Sequence, residues 1–191
     1  MVQKLDHNQK IEGLEGVTIC DFWTWAYSDI LNNRNRSIFA EFIVGAALEV
    51  IGDSRIEWDA FDLRYKDFKI EVKSAAYVQS WEQKKHSTIR FDIAKKRGWD
   101  ALTNEYKANP IRCSDCYVFC VYTEKNYDNA DPTNLKAWDF YVIPTDELNI
   151  RFDNQKGIAL SRIQEFCDPV KYEGLKKKID EVLALKIQIS L

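Results

Sequence analysis

Asp62, Glu71 and Lys73 lie on one short stretch whose apolar residues alternate, at Phe61, Leu63 and Tyr65 and again at Phe68, Ile70 and Val72. That is the period of a half-buried strand. The pattern predicts a β-hairpin reversing at Lys66-Asp67, with Tyr65 opposite Phe68, Leu63 opposite Ile70 and Phe61 opposite Val72; a four-residue loop over Tyr65 to Phe68 would keep the same register. The other face then sets Asp62 opposite Glu71, and Lys73 follows two residues later on that face. Cβ atoms of directly opposed strand residues are about 4.5–5.5 Å apart, and like charges there repel. A divalent cation resolves the conflict, because Mg²⁺ gathers carboxylate oxygens in an octahedral shell and keeps several waters for chemistry. The competing reading is a solvated charged strand face, which suits Arg64 opposite Lys69.

Two further elements must position these groups. Thr18 to Leu31 reads as a helix rich in aromatic residues and packed against the core; after the polar break at residues 32–36 a second helix is expected from about Asn35 to Val50, stopped by Gly52. The second helix is apolar nearly all round from Ile38, apart from Glu41 and Glu49. An unpaired buried carboxylate is costly enough to take up a proton, so Glu41 needs a cation or a donor. A cation shared with Asp62 and Glu71 is one answer, and a partly exposed Glu bonded to Arg34 or Arg36 is the other. Asp59 rivals Asp62 as a ligand, but it alternates with Phe61 and so points away from Glu71 in any register that keeps the apolar face intact.

In this order, Glu41 on a helix, Asp62 on a strand and then Glu71-x-Lys73, the residues resemble the signature of the PD-(D/E)XK, or restriction-endonuclease-like, nuclease superfamily. The resemblance implies an α/β fold with a central mixed β-sheet flanked by helices. It implies that Glu41, Asp62 and Glu71 hold one or two Mg²⁺ ions, or Mn²⁺ in their place, with the backbone carbonyl of Val72 as a further ligand. Lys73 would orient or activate the attacking water. Gln79, expected on the same face of the continuing strand, would touch a phosphate, water or metal ligand, or else end the strand in solvent. The likeness covers roughly residues 35 to 123, with residues 124 to 191 as a C-terminal elaboration of the same domain. One departure is the short interval between Gly52 and Asp62, which leaves little room for the separate first strand of that core.

Beyond the hairpin, Lys84, Lys85, His86, Arg90, Lys95, Lys96 and Arg97 gather positive charge among Trp81, Phe91 and Trp99. Such a mixture suits phosphate contacts, which position a nucleic acid without reading its sequence; it is also the composition of a solvated strand and helix. A short strand is expected at Thr88 to Ile93, a crossover helix from Ala94 to Ala108, and a central strand covered on both faces at Cys116 to Tyr122. Another strand is expected at Lys136 to Pro144, then an amphipathic helix from Tyr172 to about Leu185.

At 191 residues, with 46% hydrophobic and 30% charged residues, the chain suits one domain with a sizeable core. A net charge of −3 argues against a protein that coats nucleic acid, but leaves room for a local basic patch. The start carries no apolar run of signal-peptide length and no stretch suits a membrane span, so a cytoplasmic protein is expected, and its five Cys fit reduced thiols there. Cys113-x-x-Cys116 lacks the second pair a structural zinc site would use. Phosphate-binding-loop, dinucleotide, zinc-peptidase and nucleophile-elbow motifs are missing. These observations favour a metal-dependent nuclease acting on DNA, for which a homodimer would suit cleavage of both strands. The alternatives are a catalytically inactive module of the same fold binding nucleic acid or a protein partner, and an acidic metabolic protein with an accidental D…E-x-K.

Overall fold

The computed structural model describes residues 3–52, 54–55, 60–97, 99–100, 105–106 and 108–189. Asp59 lies outside them. Helix α1 (Ile19–Tyr27) starts at a capping box, in which the Thr18 hydroxyl accepts from the Asp21 amide and the Asp21 carboxylate accepts from the Thr18 amide at 2.7 Å. It is shorter than expected and is not a packed core helix: no residue on it is buried, and Trp25 is 84% exposed.

Helix α2 (Asn33–Ala47) is capped by the Asn32 side chain, which accepts from the Arg34 amide at 3.0 Å. It ends before Gly52. The left-handed residue that turns the chain is Glu49, with φ of 62°, and the Val50 amide returns to the Gly45 carbonyl at 2.9 Å. Gly45 faces β1 (Leu63–Tyr65). A Cβ there would come within 2.9 Å of Ile51 Cγ2 and 3.4 Å of a Leu63 methyl, so this glycine sets how near the helix lies to the hairpin.

β1 pairs antiparallel with β2 (Phe68–Ala76) in the expected register, Leu63 opposite Ile70 and Tyr65 opposite Phe68. The pairing breaks immediately upstream. The Asp62 amide bonds the Ile70 carbonyl at 3.1 Å, and Phe61 does not sit across from Val72 on the core face: its ring is covered by Arg64 and Lys69, at 5.0 and 5.4 Å from the centroid.

The chain then leaves the sheet. β3 (Arg90–Asp92) pairs with a later strand, and β4 (Trp99–Asp100) pairs antiparallel with β5 (Glu105–Tyr106) where a crossover helix was expected. Trp99 and Tyr106 are residue types that favour strands, and here they outweigh a helical spacing. β6 (Cys116–Tyr122), buried at every residue, returns parallel to β2, and β7 (Trp138–Pro144) runs antiparallel to β6. The result is a mixed four-stranded sheet of order β1-β2-β6-β7.

The sheet separates two clusters of buried residues. On one side Ile70, Val72 and Ala76 meet Ala40, Ile43 and Val44 of α2, together with Leu175, Ile179 and Leu183 of the C-terminal helix. On the other, Ala75, Tyr117 and Phe119 meet Phe91 of β3 and residues of α3 (Thr145–Phe152), β8 (Gly157–Ala159) and α4 (Leu160–Ile163). β8 is the partner of β3. The C-terminal helix, α5 (Tyr172–Ile189), and β7 both come from the stretch read as an elaboration, yet they complete the sheet and one of its two covering layers. Among the described residues no helix is long and apolar enough to cross a membrane.

Candidate functional site

β1 pairs with β2 only as far as Ile70, so among the described residues no strand covers that edge of β2 from Glu71 onward. Asp62 fills the first gap: its Oδ2 accepts from the Val72 amide at 2.7 Å, standing in for a strand partner. Strand alternation puts Glu71 and Lys73 on the face shared with Tyr117, away from α2. Lys73 Nζ lies 2.5 Å from Glu71 Oε1, and the Ser114 hydroxyl donates to Glu71 Oε2 at 3.3 Å. Glu41 comes from α2, on the opposite face, and is 7% exposed. Asp62, at the edge, therefore feels one carboxylate from each side of the sheet.

The electrostatics register this arrangement. The Asp62 carboxyl is pushed up to about 7, chiefly by burial and then by repulsion from Glu71 and Glu41; the Val72 amide and Lys73 oppose the rise without cancelling it. For Lys73, burial favours loss of the proton, but Glu71, aided by Asp62 and Asp92, outweighs burial and holds the ammonium above its ordinary value.

Glu41 is held differently. Arg55 grips it with two hydrogen bonds, from Nε to Oε2 and from Nη2 to Oε1 at 2.8 Å. Arg34 and Arg36, the partners expected for a paired Glu41, do not take this role. Arg36 instead turns inward, where its Nη1 donates to the Leu31 carbonyl at 2.7 Å and to Gln79 Oε1 at 3.2 Å, and its Nη2 bonds Asn33. Its Nε has no hydrogen-bond partner, and burial pulls the guanidinium down to about 10.

Gln79 is thereby accounted for. β2 ends at Ala76, and the Gln79 carboxamide, 4% exposed, bonds Arg36, the Ala76 carbonyl and the Ser87 hydroxyl, with none of Glu41, Asp62, Glu71 or Lys73 among its partners. The expected strand-face position beside Lys73 is not the one it occupies.

The fit to a divalent cation is uneven. Asp62 Oδ1 has no hydrogen-bond partner among the described residues, and Glu71 offers its carboxylate beside it. Val72 turns its amide toward Asp62, and the carbonyl of a strand residue faces the same edge as its amide. Both oxygens of Glu41, however, are occupied by Arg55. Among the described residues no group of three His, Cys, Asp or Glu side chains is gathered closely enough to form a ready-made metal cluster. Asp62 suits a hard cation as it stands, Glu71 suits one once Lys73 moves off its Oε1, and Glu41 only with Arg55 displaced.

The basic run divides. Lys84, Lys85 and His86 line a cavity at the end of β2. Arg90 lies on β3, Lys95 pairs with Asp153 at 2.5 Å, Lys96 with Asp92 at 3.6 Å, and Arg97 is exposed. Two residues of the acidic centre were missed from sequence. Arg55 is the one cation between Gly52 and Asp62, which was a usable signal; Ser114 carried none, because only the β2–β6 pairing brings it to Glu71. No protein-family model matches the chain, and no curated protein matches it either.

Proposed function

We propose that this chain is a metal-dependent nuclease of the PD-(D/E)XK type, built on a restriction-endonuclease-like core and hydrolysing phosphodiester bonds of DNA. The observation that carries the reading is the Asp62 carboxyl at the edge of β2 that no strand pairs among the described residues, pushed up to about 7 by burial and by Glu71 and Glu41. Repelling carboxylates concentrated around one strand edge, with a lysine beside them, are a charge pattern that a divalent cation relieves. The parallel β2–β6 pair and the helix carrying Glu41 agree with the same core.

Asp62 and Glu71 would hold Mg²⁺ or Mn²⁺, with the Val72 carbonyl as a further ligand and Glu41 joining if Arg55 yields. Such an ion, when bound, lowers the pKa of coordinated water and offsets charge on phosphoryl oxygens. In the reaction a water oxygen attacks phosphorus, one ester P–O bond breaks, and the departing oxygen takes a proton. Lys73, an ammonium that Glu71 and Asp62 favour in the metal-free chain, would donate to the water or to a phosphoryl oxygen and stabilise developing negative charge. Two copies acting together would cut both strands of a duplex.

The Glu41–Arg55 pair favours one second reading, a nuclease-fold module that binds nucleic acid or a protein partner and in which a guanidinium replaces a cation. The test is to incubate the protein and Lys73→Ala with supercoiled plasmid, linear duplex and single-stranded DNA in Mg²⁺, Mn²⁺ or EDTA. Metal-dependent cleavage lost in the variant is the expected result. Binding of these DNAs with no cleavage under any condition would favour the inactive module.

A further inference from the structure

The parallel strands β2 and β6 end side by side at Ala76 and Tyr122, and the chain segments that follow them form the walls of a cavity of about 650 Å³. Ligands of α/β sheets characteristically bind beyond the carboxyl ends of parallel strands, and this volume is within the range of about 300–1,000 Å³ typical of small-molecule sites. Two aromatic rings lining it, Trp81 and Tyr127, are 51% and 56% exposed. Lys84, Lys85 and Lys125 line it as well, together with one carboxylate, Glu82; no ion pair joins these lysines to a carboxylate among the described residues, and Lys125 Nζ lies 4.9 Å from the Tyr77 ring centroid. Elsewhere in this net-negative chain, lysines such as Lys66, Lys95, Lys171 and Lys186 are paired with aspartates.

The walls are braced before any ligand arrives. The Gln83 side chain accepts from the Gln79 amide at 2.8 Å and donates to the Ser87 hydroxyl at 3.0 Å, and the Ser87 amide returns to the Tyr77 carbonyl at 2.9 Å. His86 Nε2 meets the Lys125 carbonyl at 2.9 Å, tying the two walls together, and the Glu124 carboxylate caps the Lys125 and Asn126 amides. Open aromatic faces beside three lysines against one lining carboxylate, Glu82, on a braced frame, match a planar ring that carries phosphate. A simple anion would leave the rings unused, and an apolar ligand would leave the lysines unused.

We propose that this cavity is a nucleotide subsite, in which one unpaired base stacks on Trp81 or Tyr127 while Lys84, Lys85 and Lys125 hold the phosphates beside it. It deepens the nuclease reading and rests on it only for the source of the nucleotide. Val78, at the cavity, is no more than about 17 Å along the chain from Lys73, so a single strand lying over β2 could reach both places.

The test is fluorescence-anisotropy binding in EDTA, where no hydrolysis occurs, of a labelled oligothymidylate, with unlabelled duplex and thymidine 5′-monophosphate as competitors. Trp81→Ala should weaken single-strand binding by roughly 5- to 100-fold, the effect of removing one base–aromatic stack, and Trp81→Phe should restore most of it. The exposure of Trp81 leaves the fold intact on substitution, checked by an unchanged thermal melt. Competition by the mononucleotide that is lost in Trp81→Ala supports the subsite and assigns it to free nucleotide; binding of the oligonucleotide alone, with the same dependence, supports it within a strand. Binding that is indifferent to Trp81, or that prefers duplex, overturns it. Because the subsite is read as binding in EDTA through Trp81 and cleavage is read in Mg²⁺ through Lys73, failure of the subsite and failure of the cleavage reading are separately visible.

Discussion

The middle and the end of β2 solve the problem of charge in opposite ways. In the middle, Asp62, Glu71 and Glu41 crowd around a strand edge that no strand pairs among the described residues, and two cations there, Lys73 and Arg55, are already committed to carboxylates. At the end, Lys84, Lys85 and Lys125 stand without carboxylate partners beside exposed rings. The first region is deficient in positive charge and buried; the second has an excess of it and is open. A nucleic acid brings anionic phosphates and planar bases, and a divalent ion brings concentrated positive charge, so the two regions ask for the two components of one reaction.

That contrast can be broken most forcefully at Lys73. Lys73→Ala should reduce metal-dependent cleavage by about 10²–10³-fold, the scale of losing one preorganised donor in a transition state, while weakening anisotropy-measured binding far less. Equal losses in both would mean that the middle of the strand binds rather than reacts.

Arg55 comes next. Arg55→Gln strips Glu41 of its partner and should destabilise the protein by roughly 1–3 kcal/mol, between the values for exposed and buried pairs, because Arg55 is itself partly exposed. Added Mg²⁺ should then raise the melting temperature of the variant more than that of the parent. An equal Mg²⁺ response would show that Glu41 stays outside any cation site.

The pH response of Asp62 is of the same order. Its carboxyl ionises near 7 in the folded chain against an ordinary 3.8, so the folded state binds more protons between those values. Its contribution to stability is complete below about pH 4 and is lost as pH rises through 7. Melting temperatures in EDTA should fall by a few degrees over that window, and Asp62→Asn, facing the same Glu41, Glu71 and Lys73, should flatten the decline. The smallest effect belongs to the strand end, where Lys84→Ala should lower the slope of log affinity against log salt by about 0.7 for single-stranded DNA.

How much of this was readable in advance depended on the distance over which each contact acts. The hairpin register at Tyr65 and Phe68 was legible because period-two alternation is local, and the β6 strand because a continuous apolar run admits few other readings. The break at Asp62 was not legible: it depends on a side chain replacing a backbone partner, and alternation carries no trace of that. The crossover was misread because the spacing of apolar residues between Ala94 and Ala108 suits a helix, whereas residues 99–100 and 105–106 pair as antiparallel strands. Gln79 was aimed wrongly since the strand stops at Ala76, which periodicity could not signal. The exposed face of α1 and the meeting of Trp81 with Tyr127 depend on tertiary placement alone.

The parallel pairing of β2 with β6 has a consequence for the order in which the centre assembles. Asp62 and Glu71 belong to one hairpin, a structure that forms in about 1–10 μs, whereas Ser114 and β6 arrive only after the chain of residues 77–115 has closed its loop, and such distant contacts form late. The two carboxylates therefore meet first in water, where their repulsion is screened. Burial is the chief cause of the raised Asp62 carboxyl, so the step that takes Asp62 out of water is coupled to proton uptake near neutral pH, and alkaline solution should disfavour that step while leaving the earlier hairpin pairing untouched.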